Sequence, residues 1–361
     1  MVRPDIYVNG RFLTQPLSGV QRFALEINAA LARVSVANGY SAPVTLTPNT
    51  VLLEQKVNGY PVRAVGRQRG QLWEQFELPW ATRKGLLINL GNTAPLLGRR
   101  HIVIIHDAGV FSQPNSYSWK FRTWYRVLLT LLRYSRAHLI TVSHFSRSEL
   151  SKYLRIPAEQ ISVISEGAEH IKSQAADGSI LKRHSLRSQG YVLAVGNLAP
   201  HKNLAQLSHL ADALAQRGTP LVISGSVNTT VFSDHGKQTL PKAAVYVGRV
   251  SDKELRALYE NAACFVFPSL YEGFGLPPLE AMLCGCPVVA ADIPVLREIC
   301  GEAAYYVNPH DPEAITRSVL HILDTPIQAQ EMRQAGLSRA AAFTWEKAAR
   351  SLLQITEAVF S

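Results

Sequence analysis

The sequence predicts an α/β protein built from two open, doubly wound sheets in tandem, and three observations carry that reading. A chain of 361 residues exceeds what one ordinary core organises and suits two domains. Short apolar runs alternate with amphipathic ones along it, the pattern of βαβ units. The alternation pauses at the polar stretch Ser173–Gln189, which holds Gly178, and restarts more cleanly beyond it. Residues 1–172 are therefore expected to form one domain, 173–189 a linker and 190–343 a second domain.

In the first half, the apolar runs Ile6–Val8, Ile102–Ile105, Leu139–Val142 and Ile161–Ile164 predict strands. Helical periodicity follows Gly19, runs through Ser118–Tyr134 and follows Ser143. In the second half, Tyr191–Val195 and Leu221–Ser224 predict strands around a helix over Asn203–Arg217. Cys264–Phe267, Val288–Ala290 and Ala304–Val307 read as buried strands, too short and too β-branched or aromatic for helices. Pro277–Leu283, Val295–Ile299, Pro312–Leu323 and Ile327–Ala342 read as helices, and Thr344 caps a last one running to Val359. Open parallel sheets bind ligands beyond the carboxyl ends of their strands, and with two such sheets the expected site is the cleft between them.

Composition narrows the class. Hydrophobic residues make up 47% and charged residues 18%, which is globular and excludes disorder. No run approaches the roughly 20 apolar residues of a membrane span. The opening MVRPDIYVNG has no apolar signal region, and four cysteines are too few for a disulfide scaffold, so a reducing cytoplasm is expected. The formal net charge is +10, and the excess is local. Between Glu77 and Glu149 the only acid is Asp107, against ten lysines and arginines. A one-sided field of this kind favours anionic partners.

The sharpest chemical segment is FPSLYEGFGLPPLEAM, Phe267 to Met282. A strand ends at Pro268, a glycine-rich loop follows, and Pro277 and Pro278 open a helix. Gly273 and Gly275 let backbone approach a ligand closely. The amides of Gly275 and Leu276 point at a helix entrance, where a diphosphate is favoured. Glu280, one turn inside, suits two ribose hydroxyls better than a phosphate. The plainer alternative is a dipole-stabilising Glu280 and a surface Glu272.

Glu272 and Glu280, eight positions apart inside EGFGLPPLEA, resemble the signature of the retaining, nucleotide-sugar-dependent glycosyltransferases called group 1 or family 4. The likeness extends to SGVQRF (Ser18–Phe23), IIHDAGVF (Ile104–Phe111), VSHFSRSEL (Val142–Leu150), VISEGAEH (Val163–His170) and VGNLAPHKNL (Val195–Leu204), six motifs in the family's order. It implies the GT-B fold, two Rossmann-like domains, with the terminal helix 344–361 returning to the first. It also implies roles. Lys202 neutralises the donor diphosphate, which Gly275 and Leu276 bind through backbone amides. Glu280 holds the ribose and Glu272 the transferred sugar. His106 touches the sugar near the reacting carbon, and Gly19 lets backbone approach the diphosphate. The donor is a nucleotide diphosphate sugar, GDP-mannose being favoured, the acceptor a glycan or lipid-linked glycan, and no separate cofactor or metal is needed.

One position departs from the family. Where many relatives carry a phosphate-binding arginine, this sequence has Asn197, and either His201 or Arg249 supplies the missing charge. His106, after IVII, has a structural alternative, as does Lys202 before a helix. The segment Ser118–His138 places Arg122, Arg126, Arg133 and Arg136 within an arc of about 80°. It is either a docking surface for anionic lipid or a lipid-linked acceptor, or a solvated helix face. Neither an Asp-x-Asp pair nor a Gly-x-Gly-x-x-Gly or Walker loop occurs, which weakens metal-dependent transferase, dehydrogenase and NTPase readings. A nucleotide-sugar 2-epimerase of the same fold, a non-catalytic sugar-binding relative and a nucleic-acid-binding protein are the rivals. The last lacks any recognition motif, so nucleic acid is not an expected partner.

Overall fold

The computed structural model describes residues 5–49, 56–57, 59–225 and 241–360. Two compact units emerge: Met1–Ala108 with Trp124–Gly167 and Thr344–Ser361, and Gly109–Thr123 with Ala168–Phe343. The stretch expected as a linker is part of the second unit. Ser179–Arg183 is a short helix with Ile180 buried, it packs on the helix Asp252–Asn261, and the Asp177 amide donates to Lys253 O at 3.0 Å. Two apolar anchors, Ile180 and Leu186, in a polar stretch leave no periodicity to read.

The first unit carries β1 (Ile6–Asn9), β2 (Val44–Pro48), β3 (Lys56–Val57), β4 (Tyr60–Val65), β5 (Leu86–Asn89), β6 (His101–Ile104), β7 (Ala137–Thr141) and β8 (Ile161–Val163). Among the described residues they form one sheet ordered β3-β4-β2-β1-β5-β6-β7-β8, parallel except for the β3–β4 pair. Strands β5 and β6 are buried along their whole length, as central parallel strands covered on both faces must be. The helix Gly19–Ala37 packs on the sheet's terminal partner, the helix Trp345–Phe360. Trp345 is buried with its ring edge-on to Phe23, 5.7 Å between centroids. Thr344 Oγ1 accepts the Lys347 amide, which is the cap the sequence predicts.

The second unit carries β9 (Val192–Val195), β10 (Leu221–Ser224), β11 (Val245–Gly248), β12 (Cys264–Phe267), β13 (Val288–Ala291) and β14 (Ala304–Val307). Their order is β11-β10-β9-β12-β13-β14, all parallel. Counted within the unit this is 3-2-1-4-5-6, the doubly wound order whose direction reverses between β9 and β12. Val192, Ala194, Ile223, Val266 and Val289 from the sheet meet Leu210 and Leu214 of the helix Ser208–Gln216 and Ile315, Val319 and Ile322 of the helix Pro312–Asp324. At the reversal, neighbouring loops leave in opposite directions and open a crevice at the carboxyl ends of the two strands. In the first unit the same reversal falls between β1 and β5.

Candidate active site

The reversal in the second unit brings together residues 70 apart in sequence. After β9 the chain makes a 3-10 turn, Pro200–Lys202, that ends on Asn203 in the left-handed region at φ 59°. Buried Asn203 Nδ2 donates to Pro268 O at 3.1 Å and to Pro309 O at 2.7 Å, pinning the loops that follow β9, β12 and β14. The Leu270 amide donates to His201 O at 2.8 Å, a second tie between the β9 and β12 loops. On this frame Lys202 Nζ meets Glu272 Oε1 at 2.6 Å, both side chains more than four-fifths buried. The ammonium also lies 5.5 Å from the Phe267 ring centroid. The same loop runs on to Gly275 at φ 110°, where a Cβ would stand 2.7 Å from Leu296 Cδ2. Only glycine fits there. Gly275 is the N-cap residue of the helix Leu276–Leu283 and has no side chain to cap it; with Pro277 and Pro278 lacking N–H groups, the amides of Gly275 and Leu276 are the ones this start offers an anion.

Glu280 lies inside that helix and is buried. Its Oε1 is 2.8 Å from His170 Nε2, and its Oε2 accepts from Tyr259 Oη at 3.1 Å. Burial, with the carboxylate beside it, pushes the Tyr259 phenol well up, so the hydroxyl stays a donor. Neither His170 nor Tyr259 was legible as a site residue. Each comes from a separate element, and no local spacing links them to Glu280.

Asn197 folds back on its own turn, Oδ1 accepting the Ala199 amide at 3.3 Å. His201 is one of the two candidates for the missing charge. It is buried, and burial with Lys202 beside it holds the imidazole down at about 3, hence neutral. Its ring stacks on Tyr117 instead, 6.4 Å between centroids. Arg249, the other candidate, is exposed at the carboxyl end of β11.

In the first unit His106 follows β6 and is buried among partners. Its amide donates to Asn92 Oδ1 at 2.7 Å, its Nε2 is 3.0 Å from Leu90 O, and its Nδ1 is 3.5 Å from Glu166 Oε1. Asn92 takes φ 63°, a conformation that asparagine tolerates better than most residues. Phe23 lies edge-on to the imidazole at 4.7 Å. Glu166 lies in the VISEGAEH motif, and its acid stands beside the histidine only after β6 and β8 align. Gly19 begins the helix Gly19–Ala37, is exposed, and has open space where a Cβ would stand. Its identity is thus not demanded by packing.

Behind the first unit's reversal lies a buried polar network that the sequence did not announce. Asn9 Nδ2 donates to Glu74 Oε1 at 2.6 Å and to Asn89 Oδ1 at 3.0 Å. Thr93 Oγ1 donates to Glu74 Oε1 at 2.9 Å, and Arg11 Nη2 donates to Thr93 Oγ1 at 3.0 Å. Arg11 Nε stands 3.6 Å from Glu74 Oε2. The network fixes the loop after β5, the loop whose Leu90 and Asn92 hold His106.

The arginine arc is corrected. The helix is Trp119–Leu132, so Arg133 and Arg136 lie beyond it. Arg122 and Arg126 are half-buried, Arg122 Nη1 donating to Pro114 O at 3.1 Å. The outward face carries Trp119, Trp124, Val127 and Leu131, exposed by 66%, 43%, 49% and 45%. A second exposed stripe, Leu72, Phe76 and Trp80, runs at four-residue spacing, with the Arg83 guanidinium 4.4 Å from the Trp80 ring centroid. Among the described residues no helix is long and apolar enough to cross a membrane.

Two Rossmann-like parallel sheets, with a cation, two carboxylates and an uncapped helix start gathered at the second reversal, define a glycosyltransferase of the GT-B class. The sucrose-phosphate synthase of Thermosynechococcus elongatus superposes over 99% of each chain at 18% identity, with a TM-score of 0.75. The family described as "Glycosyl transferases group 1" matches residues 180–339. O-antigen chain mannosyltransferase B of Escherichia coli is 34% identical over 257 residues, 68% of this chain and 67% of that protein. O-antigen chain mannosyltransferase RfbU of Salmonella typhimurium is 29% identical over 299 residues, covering 80% and 78%. The chain belongs to the group 1 glycosyltransferases and is a hexosyltransferase.

Proposed function

We propose that the chain transfers mannose from GDP-mannose to a hydroxyl of a glycan or lipid-linked glycan in the synthesis of a surface polysaccharide, with retention at the anomeric carbon. The observation that carries the donor assignment is the Lys202–Glu272 pair, set beside the helix start at Gly275 on the same frame of loops. The choice of mannose is supported by the similar proteins being named mannosyltransferases. Negative charge grows on the diphosphate as the sugar leaves. Lys202 and the Gly275 and Leu276 amides stabilise it, and fixed donors of this kind are worth about 3–4 kcal/mol each. Glu280 takes the ribose and Glu272 the sugar. His106, held by Asn92, Leu90 and Glu166, touches the sugar near the reacting carbon, and Gly19 gives the diphosphate close backbone approach. A donor phosphate oxygen takes the acceptor's proton, so no protein base and no metal is required.

Purified protein with GDP-mannose and a lipid-linked acceptor tests this. GDP release that requires acceptor, and that persists in excess chelator, is the expected result. Release without acceptor points to hydrolysis or epimerisation. Loss in chelator that manganese or magnesium restores defeats the metal-independent mechanism.

The same reading places the enzyme at the inner face of the cytoplasmic membrane. Support comes from the outward aromatic face of Trp119–Leu132, bordered by Lys120, Arg133 and Arg136, and from the Leu72–Phe76–Trp80 stripe beside Arg83 and Lys84. Aromatic rings flanked by cations suit an anionic lipid surface.

A further inference from the structure

We propose that His170 is a positioning residue for donor recognition: with Tyr259, it clamps the Glu280 carboxylate so that one lone pair on each oxygen stays open for the vicinal diol of the nucleotide ribose. The inference rests on the assignment of Glu280 to the ribose made above. Three elements meet at this carboxylate. His170 comes from the turn Glu169–Lys172, Tyr259 from the helix Asp252–Asn261 and Glu280 from the helix Leu276–Leu283. His170 and Tyr259 approach different oxygens, at 2.8 and 3.1 Å, and both are buried. The Glu280 side chain keeps 8% of its surface.

An ionised carboxylate offers roughly four acceptor sites, two on each oxygen. His170 and Tyr259 use one on each from the interior side. One on each remains, and the two hydroxyls of a ribose need two acceptors side by side. With both interior partners present, the carboxylate plane is fixed before the nucleotide arrives, and binding orders nothing further. With either removed, the group rotates toward whatever donor is left and the paired presentation is lost. A histidine that only compensates a buried acid makes a different demand: its loss lowers stability but leaves ribose discrimination untouched.

The test compares a nucleoside diphosphate, whichever of GDP and UDP binds tighter, with its 2′-deoxy counterpart by calorimetry. The wild type is expected to prefer the ribonucleotide by about tenfold or more, the range of a charge-assisted hydrogen bond. Tyr259→Phe removes one hydroxyl without removing volume, and His170→Phe removes the ring donor. Each is expected to reduce the preference to about threefold or less, with deoxynucleotide affinity held within about twofold. His170→Gln, whose amide still donates, restores most of the preference. Should His170→Phe fail to fold, Tyr259→Phe and His170→Gln decide the matter. A wild-type preference retained in both phenylalanine variants overturns the clamp. A wild type that binds both nucleotides equally removes Glu280 from the ribose altogether, and that failure is visible before any variant is made.

Discussion

Lys202 and Glu272 neutralise each other across 2.6 Å. On the proposed reading, a diphosphate arriving at the ammonium displaces the carboxylate and frees Glu272 for the sugar. The charge of Lys202 matters most as the leaving group departs, so Lys202→Ala is expected to lower turnover about a hundredfold or more while donor affinity changes less. Glu280→Gln is expected to do the reverse. Donor affinity falls about tenfold, because one charge-assisted bond is lost, with the melting temperature little changed. Titration calorimetry beside steady-state rates separates the two patterns, and a Glu280→Gln protein that melts early yet binds nucleotide normally removes Glu280 from the site. Glu74 makes the contrasting case. It is wholly buried beside Arg11, and breaking such a pair costs about 3–5 kcal/mol. Glu74→Ala is expected to lower the urea midpoint sharply, and an unchanged midpoint makes the network energetically idle. The loop and helix start that carry Glu272, Gly275 and Glu280 are legible because that motif is local, nine residues from Glu272 to Glu280. Glu74, Arg11, His170 and Tyr259 are not, because strand order and not sequence distance brings them to their partners.

Elements with one apolar face and a strong run of β-branched residues were legible too, as at β6, β9, β12 and β13. The sequence does not announce β2, β3, β4, β5 or β11; β5, LLIN, is buried throughout yet too short to stand out from the apolar residues around it. VTLTP and YPVRAV mix threonine, proline or arginine into short runs, VYVG is four residues ending in glycine, and β4 lies near the sheet's edge where one face is wet. The helix Trp119–Leu132 was found, but its orientation was reversed. Charge alone marked the arginines as the outer face, whereas Arg122 and Arg126 lie half-buried and the tryptophans lie outside. Long arginine stems pack well against apolar neighbours, which makes charge a poor guide to exposure. Replacing Trp124 and Leu131 by glutamine is expected to weaken binding to vesicles of phosphatidylglycerol about tenfold or more. Replacing Arg122 and Arg126 is expected to change vesicle binding little. Vesicle binding that survives the first pair and is lost with the second returns the docking role to the arginines.

Across the whole molecule, two buried histidines tie stability to pH. Burial holds His101 down at about 4, and burial with Lys202 holds His201 at about 3, each below the unfolded value near 6.5. The unfolded chain therefore binds these protons first. Stability is full above about pH 6.5 and falls as the pH drops toward the folded values, by an amount on the order of a few kcal/mol in all. Neither ring nitrogen of His101 has a hydrogen-bond partner, so His101→Leu is expected to flatten the decline between pH 7 and 5 without loss at pH 7. Urea midpoints at the two values measure this, and an equal decline in wild type and variant sinks it. The four cysteines are all buried, with Cys264, Cys284 and Cys300 pushed up to about 12 by burial, so none is a reactive thiolate. The proposed mechanism concentrates the chemistry of the sugar transfer at the Lys202 ammonium. The most direct measurement is transfer of labelled mannose from GDP-mannose to a lipid-linked acceptor, by the wild type and by Lys202→Ala, at donor concentrations that saturate both. Transfer by the wild type and a loss of about a hundredfold or more in the variant is the expected result. A variant that transfers mannose at the wild-type rate would contradict the central role of Lys202, and with it the assignment of the diphosphate to the β9–β12 reversal.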